Sequence, residues 1–483
     1  MASCLPHFFR TCIIHSVVKH ATVRHASVPL NFYRLYSSAL YISGRKATEC
    51  FSFISPYLDF DNKLTDIDKL QRDLTSRGLN VNAEDVKKMW EFYKSLDSVK
   101  SRVEKKADDI KSKLRKYHTN DHLTSDEVAE FQKLTLQCQA LKAELRNIKE
   151  TIWDLSESVV ERMLKLPNEI DEKTPLHSPE ILRRAGALHE FSATGKKKNH
   201  IEIGRSLGLL EYKNPMQYYL CNDAALFEIG VLNYAGTIFS ADDMIRVIGS
   251  DFSRSLVVEG SGLNHEDPLQ AFVIDNHNEV ENNSPNRMHL VGGASLIAFL
   301  AMHAKQLIDP NHFPIKYFST GKQYTPFPSG TAPIGLFTVC QTSAAHVFAL
   351  VKDTNSAEYR TQFERLLNVV CQLYDNICSH YQIVVRPASE LRPWETMRVS
   401  FELWSSFSQQ YVEVGHISIC GDYFSKRLLI AYQTSAGRNF PSIISGTVLS
   451  VPRLLGCLLE QNPEKFVIPS KVLEHMPAGN HSF

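Results

Sequence analysis

Apolar residues recur every three to four positions in two long runs. Met89, Tyr93, Leu96, Val103, Ala107, Ile110, Leu114 and Tyr117 make the first, with Lys100 interrupting one position. Phe131, Leu134, Cys138, Leu141, Leu145, Ile148, Ile152, Leu155 and Val159 make the second without a break. Such spacing lays each run along one stripe of an α-helix and reads as a heptad seam. No Gly or Pro lies between Gly78 and Pro167, so nothing breaks either helix. A polar stretch from His118 to Ser125 separates the runs, and Thr124 with Glu127 has the spacing of a capping box. The pattern predicts an antiparallel coiled-coil hairpin over residues 83–164. At 1.5 Å per residue, ~35 residues per helix give an arm of roughly 50 Å.

Beyond Pro167 the pattern changes. Short β-rich runs, Phe272–Ile274, Ile383–Val385, Tyr411–Val414 and Leu428–Tyr432, are separated by helices expected at 222–235, 293–307, 357–379 and 447–460. Strands without regular βαβ alternation predict an α+β fold on a mainly antiparallel sheet. No phosphate loop and no dinucleotide-binding glycine motif is present, and Glu259-Gly-Ser-Gly262 reads as an ordinary turn.

Composition adds limits. The chain has 483 residues, 43% of them apolar and 22% charged, which suits a folded multi-domain protein and excludes a polytopic membrane chain. The longest uncharged apolar run, about Leu290 to Ala304, is too short to span a bilayer, so no membrane insertion is expected. The 53 basic and 53 acidic residues cancel, but unevenly. Residues 1–48 contain no acid, six Lys/Arg and many Ser and Thr, the mark of a mitochondrial transit peptide. Arg34-Leu-Tyr-Ser-Ser38 resembles a matrix processing site, which places cleavage near Tyr36 and the protein in the matrix. Removing residues 1–36 takes away four Lys/Arg and leaves a formal charge of −4. The ten cysteines include no Cys-x-x-Cys pair and read as reduced thiols.

Against that mild acidity the first helix is basic. Lys87 to Lys116 hold eleven Lys/Arg and five Asp/Glu, with Lys105, Lys106, Lys111, Lys113, Arg115 and Lys116 gathered toward the tip. Two readings stand: a solvated helix face, or an arm that neutralises nucleic-acid phosphates.

Five segments in order resemble the class II seryl-tRNA synthetase family. Tyr57-Leu-Asp59, Leu70, Leu74 and Arg77-Gly78 resemble its N-terminal signature, and Leu166-Pro-Asn168 its link from arm to catalytic domain. Ala225–Phe252 stands where motif 1 forms the dimer. Pro314-Ile-Lys-Tyr317 with Gly335–Gln341 resembles motif 2, and Gly446-Thr447 with Val451–Leu455 resembles motif 3. Beside the transit peptide at 1–36, the resemblance implies a tRNA-binding arm at 57–165 and a class II catalytic-fold domain at 166–483. It also implies an antiparallel sheet flanked by helices.

The departures fall on the residues that carry the family's chemistry. The motif 2 arginine falls at Thr325, its return-strand Arg and His at Thr338 and Cys340, and a following Glu near His346. Ser295 stands where the serine-binding carboxylate belongs, Ser445 replaces the motif 3 Asn, and Ser400 replaces an Asp. No Arg lies between Arg287 and Arg360, which leaves only Lys316 or Lys322 as substitute cations in motif 2. Arg453, Glu413 and Ser418 survive as vestiges of the γ-phosphate and metal groups. His303, His346 and His416 lack partners at metal-ligand spacing and are expected as core or surface residues. Loss of those cations predicts ATP and Mg binding that is lost or weak, and no catalysis. Within the family this degenerate pattern resembles an inactive seryl-tRNA synthetase-like branch of insect mitochondria. That implies tRNA, tRNA-Ser foremost, as ligand without serylation. A homodimer or a heterodimer with the active mitochondrial enzyme is the implied assembly.

Overall fold

The computed structural model describes residues 38–40, 56–57, 60–118, 124–188, 198–274, 287–327, 334–353 and 356–477. The expected transit peptide at 1–36, Leu58, Asp59, the turn at 119–123, Lys196 and Lys197 lie outside the described residues, as do the side chains of Lys116 and Glu127.

The two apolar runs form helices α1, Ala83–His118, and α2, Ser125–Leu164. Tyr117 meets Phe131 with ring centroids 6.3 Å apart, Lys149 pairs with Glu104 at 3.1 Å, and Arg162 reaches the Met89 sulfur at 3.8 Å. Contacts that climb one helix as they descend the other make the pair antiparallel. The seam is buried at Met89, Val103, Ala107, Leu134, Cys138, Ile152 and Val159. At its root Val86, Met89, Val159 and Met163 join Phe60, Leu64 and Leu74 in one apolar cluster. Helix Ile67–Ser76 supplies Leu74 to that cluster, and its N-cap Asp66 accepts from the Lys69 N–H at 2.9 Å.

An eight-stranded sheet dominates the remainder. Its strands are β1 Glu180–Ala185, β2 Ile245–Arg246, β3 Ile315–Tyr324, β4 Gln341–Val351, β5 Tyr381–Val385, β6 Met397–Ser405, β7 Gln410–Gly421 and β8 Ser442–Ser450. Across the sheet the order is β1-β5-β6-β7-β8-β4-β3-β2. All neighbours are antiparallel except β2 on β3, where Ile245 lies opposite Tyr317.

Both faces of the sheet are covered, which explains the unbroken apolar run of β4: Ser343 to Val351 are all buried. Val347 and Ala349 face a core built with α3 (Asn222–Ala241), α5 (Ala357–Ile377) and α6 (Val451–Gln461). Phe348 and Leu350 point the other way, toward Phe299 and Leu300 of α4 (Leu296–His303). Among the described residues α3 alone is long and apolar enough to cross a membrane, and its Phe227, Val231, Ala235 and Phe239 are buried in this core.

Some boundaries differ from the sequence pattern. Helix α3 continues to Ala241, while α4 stops at His303 and the strand Leu307–Ile308 follows. Where a helix was expected from 447, β8 continues through Ser450 and α6 opens at Val451. Pro452 sits in the first turn of α6, where its missing N–H costs nothing. Tyr411–Val414 is the start of a 12-residue strand, β7. Leu428 closes the helix Tyr423–Leu428, and a strand begins only at Ala431. Glu259 and Gly260, expected in a turn, end the helix Ser255–Gly260.

Candidate functional site

A cavity of about 450 Å³ lies over the face of the central strands β4, β7 and β8, beside the end of β3. Ser295, Thr325, Ser418 and Ser445 line it together with His346 and His416. Thr338, Cys340, Glu413 and Arg453 do not. Ser295 is the N-cap of α4: its hydroxyl accepts from the Ala298 N–H at 3.3 Å and donates to the Gly292 carbonyl at 2.7 Å. Thr325 is exposed at the end of β3, its N–H on the Cys340 carbonyl at 2.9 Å. Thr338 accepts from the Ile334 N–H at 2.9 Å. Cys340 is buried, and burial pushes its thiol up from the usual range.

His346 occupies the cavity's floor on β4. Its ring bridges two hydroxyls of β8, Ser445 at 2.8 Å and Thr447 at 3.1 Å. Burial, then the charge of Arg392, lower its pKa to about 3, so the ring is neutral. A neutral imidazole with both nitrogens engaged has no lone pair left for a metal and no charge to offer an ammonium. The possible substitute cations are turned away: Lys316 pairs with Asp242 at 3.0 Å and Lys322 with Glu228 at 3.0 Å. His303 is a core residue, stacked on Phe348 at 5.8 Å with Nδ1 on Gln306 at 2.9 Å.

Glu413 lies behind the cavity within a closed ionic cluster. Arg398 contacts one carboxylate oxygen, His416 lies 3.6 Å and Arg453 4.0 Å from that oxygen, and the Ser400 hydroxyl donates to the other at 2.5 Å. Burial opposes ionisation, but Arg398, His416, Ser400 and Arg453 outweigh it and hold the carboxyl well below the usual range. Arg453 spends its guanidinium on the Phe337 carbonyl at 3.2 Å and the Glu413 carbonyl at 3.0 Å. Ser418 donates to Glu395 at 2.7 Å. Among the described residues no group of three His, Cys, Asp or Glu side chains is placed to hold a metal ion.

Residues 280–462 match the family model described as tRNA synthetase class II core domain (G, H, P, S and T). That stretch is similar to a class II tRNA synthetase core. The chain is similar to the Drosophila melanogaster serine–tRNA synthetase-like protein Slimp, 27% identical over 457 residues that cover 92% of each chain. The mouse mitochondrial serine–tRNA ligase is 23% identical over 433 residues, covering 85% of this chain and 80% of that one. Among solved structures, the cytoplasmic serine–tRNA ligase of Naegleria fowleri in complex with AMP superposes with a TM-score of 0.71 at 16% identity. It covers 88% of this chain and 97% of that one. The Pyrococcus horikoshii seryl-tRNA synthetase complexed with ATP gives a TM-score of 0.70 at 17% identity, over 87% of this chain and 100% of that one. The shared fold is a large, mainly antiparallel sheet flanked by helices.

One cation of this cavity was invisible to motif spacing. Arg392 lines the cavity beside His346 and His416, on the loop between β5 and β6. Its guanidinium lies 5.6 Å from the Trp394 ring. Residues at the root of the helix pair hold that loop by four successive carbonyls. Arg77 donates to Arg392 at 3.0 Å and Glu395 at 2.6 Å, and Asn168 to Pro393 at 2.7 Å and Trp394 at 3.1 Å. Only the contact order of the folded chain brings these segments together.

Along the helix pair, Lys105, Lys106, Lys113 and Arg115 are exposed and make no ion pair among the described residues. Lys111 is also exposed and pairs with Asp108 at 2.9 Å.

Proposed function

We propose that this protein is a catalytically inactive seryl-tRNA synthetase-like paralog of the mitochondrial matrix, which binds tRNA, tRNA-Ser foremost, without aminoacylating it. The observation that carries the reading is His346: a neutral ring clamped by Ser445 and Thr447 stands where activation chemistry needs an acidic group. Growing charge on an α-phosphate is stabilised by preorganised cations and metal, and one such donor is worth a few kcal/mol. Lys316, Lys322 and Arg453 are all committed to protein partners. These commitments support lost or weak binding of ATP and Mg, with Arg392 remaining at the cavity, and no activation step is assigned. Similarity to Slimp and to a mitochondrial ligase, with the acid-free start of the chain, supports the compartment.

The basic helix pair acts as the RNA-binding arm, a coiled coil whose exposed lysines displace counterions from phosphates. Its test is a gel shift with tRNA over a salt series. Replacing Lys105, Lys106, Lys113 and Arg115 by Ala lowers affinity and flattens the log–log salt slope by about 3 to 4, close to one per phosphate contact. Affinity that ignores salt counts against the arm. Serine-dependent pyrophosphate exchange tests the other half, and clear turnover overturns the inactive reading.

A second reading concerns assembly. Ile245, Ile248 and Phe252, in the segment that resembles motif 1, expose 57%, 90% and 53% of their surface. That patch suits a homodimer, or a heterodimer in which the chain regulates the active mitochondrial enzyme. Co-purification followed by sizing decides it, and a monomer alone rejects it.

A further inference from the structure

The carboxylate of Glu259 faces three donors from a segment more than two hundred residues away. The Ser38 hydroxyl reaches one oxygen at 2.7 Å, and the Ala39 and Leu40 N–H groups reach the other at 2.5 and 2.8 Å. His265 stands 3.8 Å from the second oxygen. Glu259 is 8% exposed, and Ala39 and Leu40 are 1% exposed each. Both apolar side chains enter the cluster formed by Leu256, Phe299, Tyr423, Phe424 and Leu428. A buried carboxylate is a costly group to leave without donors, and backbone N–H pairs satisfy it best. Glu259 thus needs something in this position, and the compact unit of the chain begins at Ser38 to supply it.

We infer that Glu259 is a built-in receptor for the chain's own processed N-terminal segment. This rests on the mitochondrial reading above: cleavage near Tyr36 leaves Ser38, Ala39 and Leu40 within three residues of the new end. Cleavage hydrolyses one peptide bond, consuming a water and freeing an α-ammonium on the mature chain and a carboxylate on the discarded presequence. The presequence is discarded, but the three residues after it remain as an integral part of the core. Glu259 ends the helix Ser255–Gly260, and the next residues, Ser261, Gly262 and Leu263, line the cavity. Docking of the processed end therefore sets one wall of the candidate site.

The experiment has two arms. Protein imported into isolated mitochondria is sequenced from its N-terminus, with a start at Ser37 or Ser38 expected. A start beyond Leu40 overturns the inference while leaving import intact, and an absence of import or cleavage overturns the mitochondrial reading on which it rests. In the second arm, Glu259→Gln, Ala39→Pro and the double variant of the full chain are unfolded in urea. Each single change lowers the folded-to-unfolded ratio by about tenfold or more, since each leaves a buried partner unsatisfied. The double variant is expected to lose little beyond the worse single one, because both remove the same contact. Wild-type stability in Glu259→Gln, or losses that simply add, overturn the receptor irrespective of where cleavage falls.

Discussion

Replacing Glu413 by Ala separates a structural role from a vestigial catalytic one. In the folded protein its carboxylate balances Arg398, whose side chain is 10% exposed, and its own side chain is 15% exposed. Without it Arg398 keeps Glu395, at 3.6 Å, as its ion-pair partner among the described residues. Breaking a buried pair by removing one partner typically costs about 3–5 kcal/mol. The Glu413→Ala chain should therefore unfold at a markedly lower urea concentration at pH 7. The pH dependence carries the sign: a carboxyl held below its unfolded value stabilises the fold above about pH 4.3 and gives that stability up as pH falls. Between pH 7 and pH 4, the gap between wild type and Glu413→Gln should narrow by about 0.6 kcal/mol, the protonation free energy of the unfolded carboxyl at pH 4. An acid waiting for a metal or substrate behaves oppositely, because removing unmet charge from a site usually leaves stability unchanged or higher. Glu413→Ala as stable as wild type would refute the closed ionic cluster.

Two further outcomes follow from the cavity. The His346 ring signals should not titrate between pH 5 and 8 by NMR, since burial lowers its pKa to about 3; the unfolded ring takes a proton near pH 6.5 and the folded one does not, so His346 costs stability as pH drops below that value. A midpoint near 6.5 would contradict the clamp. Gly446→Ala places a Cβ 2.1 Å from the His416 carbonyl oxygen, a backbone atom that has no rotamer to escape into. The loss should be about 2 kcal/mol or more in a urea titration, and a wild-type midpoint would show that β7 and β8 yield.

The long helices were legible because a 3.6-residue period sustained over ten turns has no competing interpretation, and Met89, Val103 and Val159 are buried as their spacing requires. The antiparallel character of the sheet also followed from the missing βαβ alternation. The run into α6 was not legible: from Ser442 to Leu459 all but Thr447 and Arg453 are buried, so neither a strand nor a helix period emerges. Pro452 was the available signal for the boundary. The absence of arginine between Arg287 and Arg360 could be read directly. Arg392 could not, since it enters the cavity from a loop outside the motifs. The partners of Lys316 and Lys322, Asp242 and Glu228, also lie 74 and 94 residues away.

The four carbonyls held by Arg77 and Asn168 give the molecule a lever with a fixed fulcrum. The 36 residues of α1 extend about 54 Å from that point, while the Arg392 loop lies against it. Small rotations at the root become large sweeps at the tip, and cargo that arrests the tip also arrests the lip of the cavity. The linkage is a mechanical connection between the tip of the helix pair and the wall of the cavity.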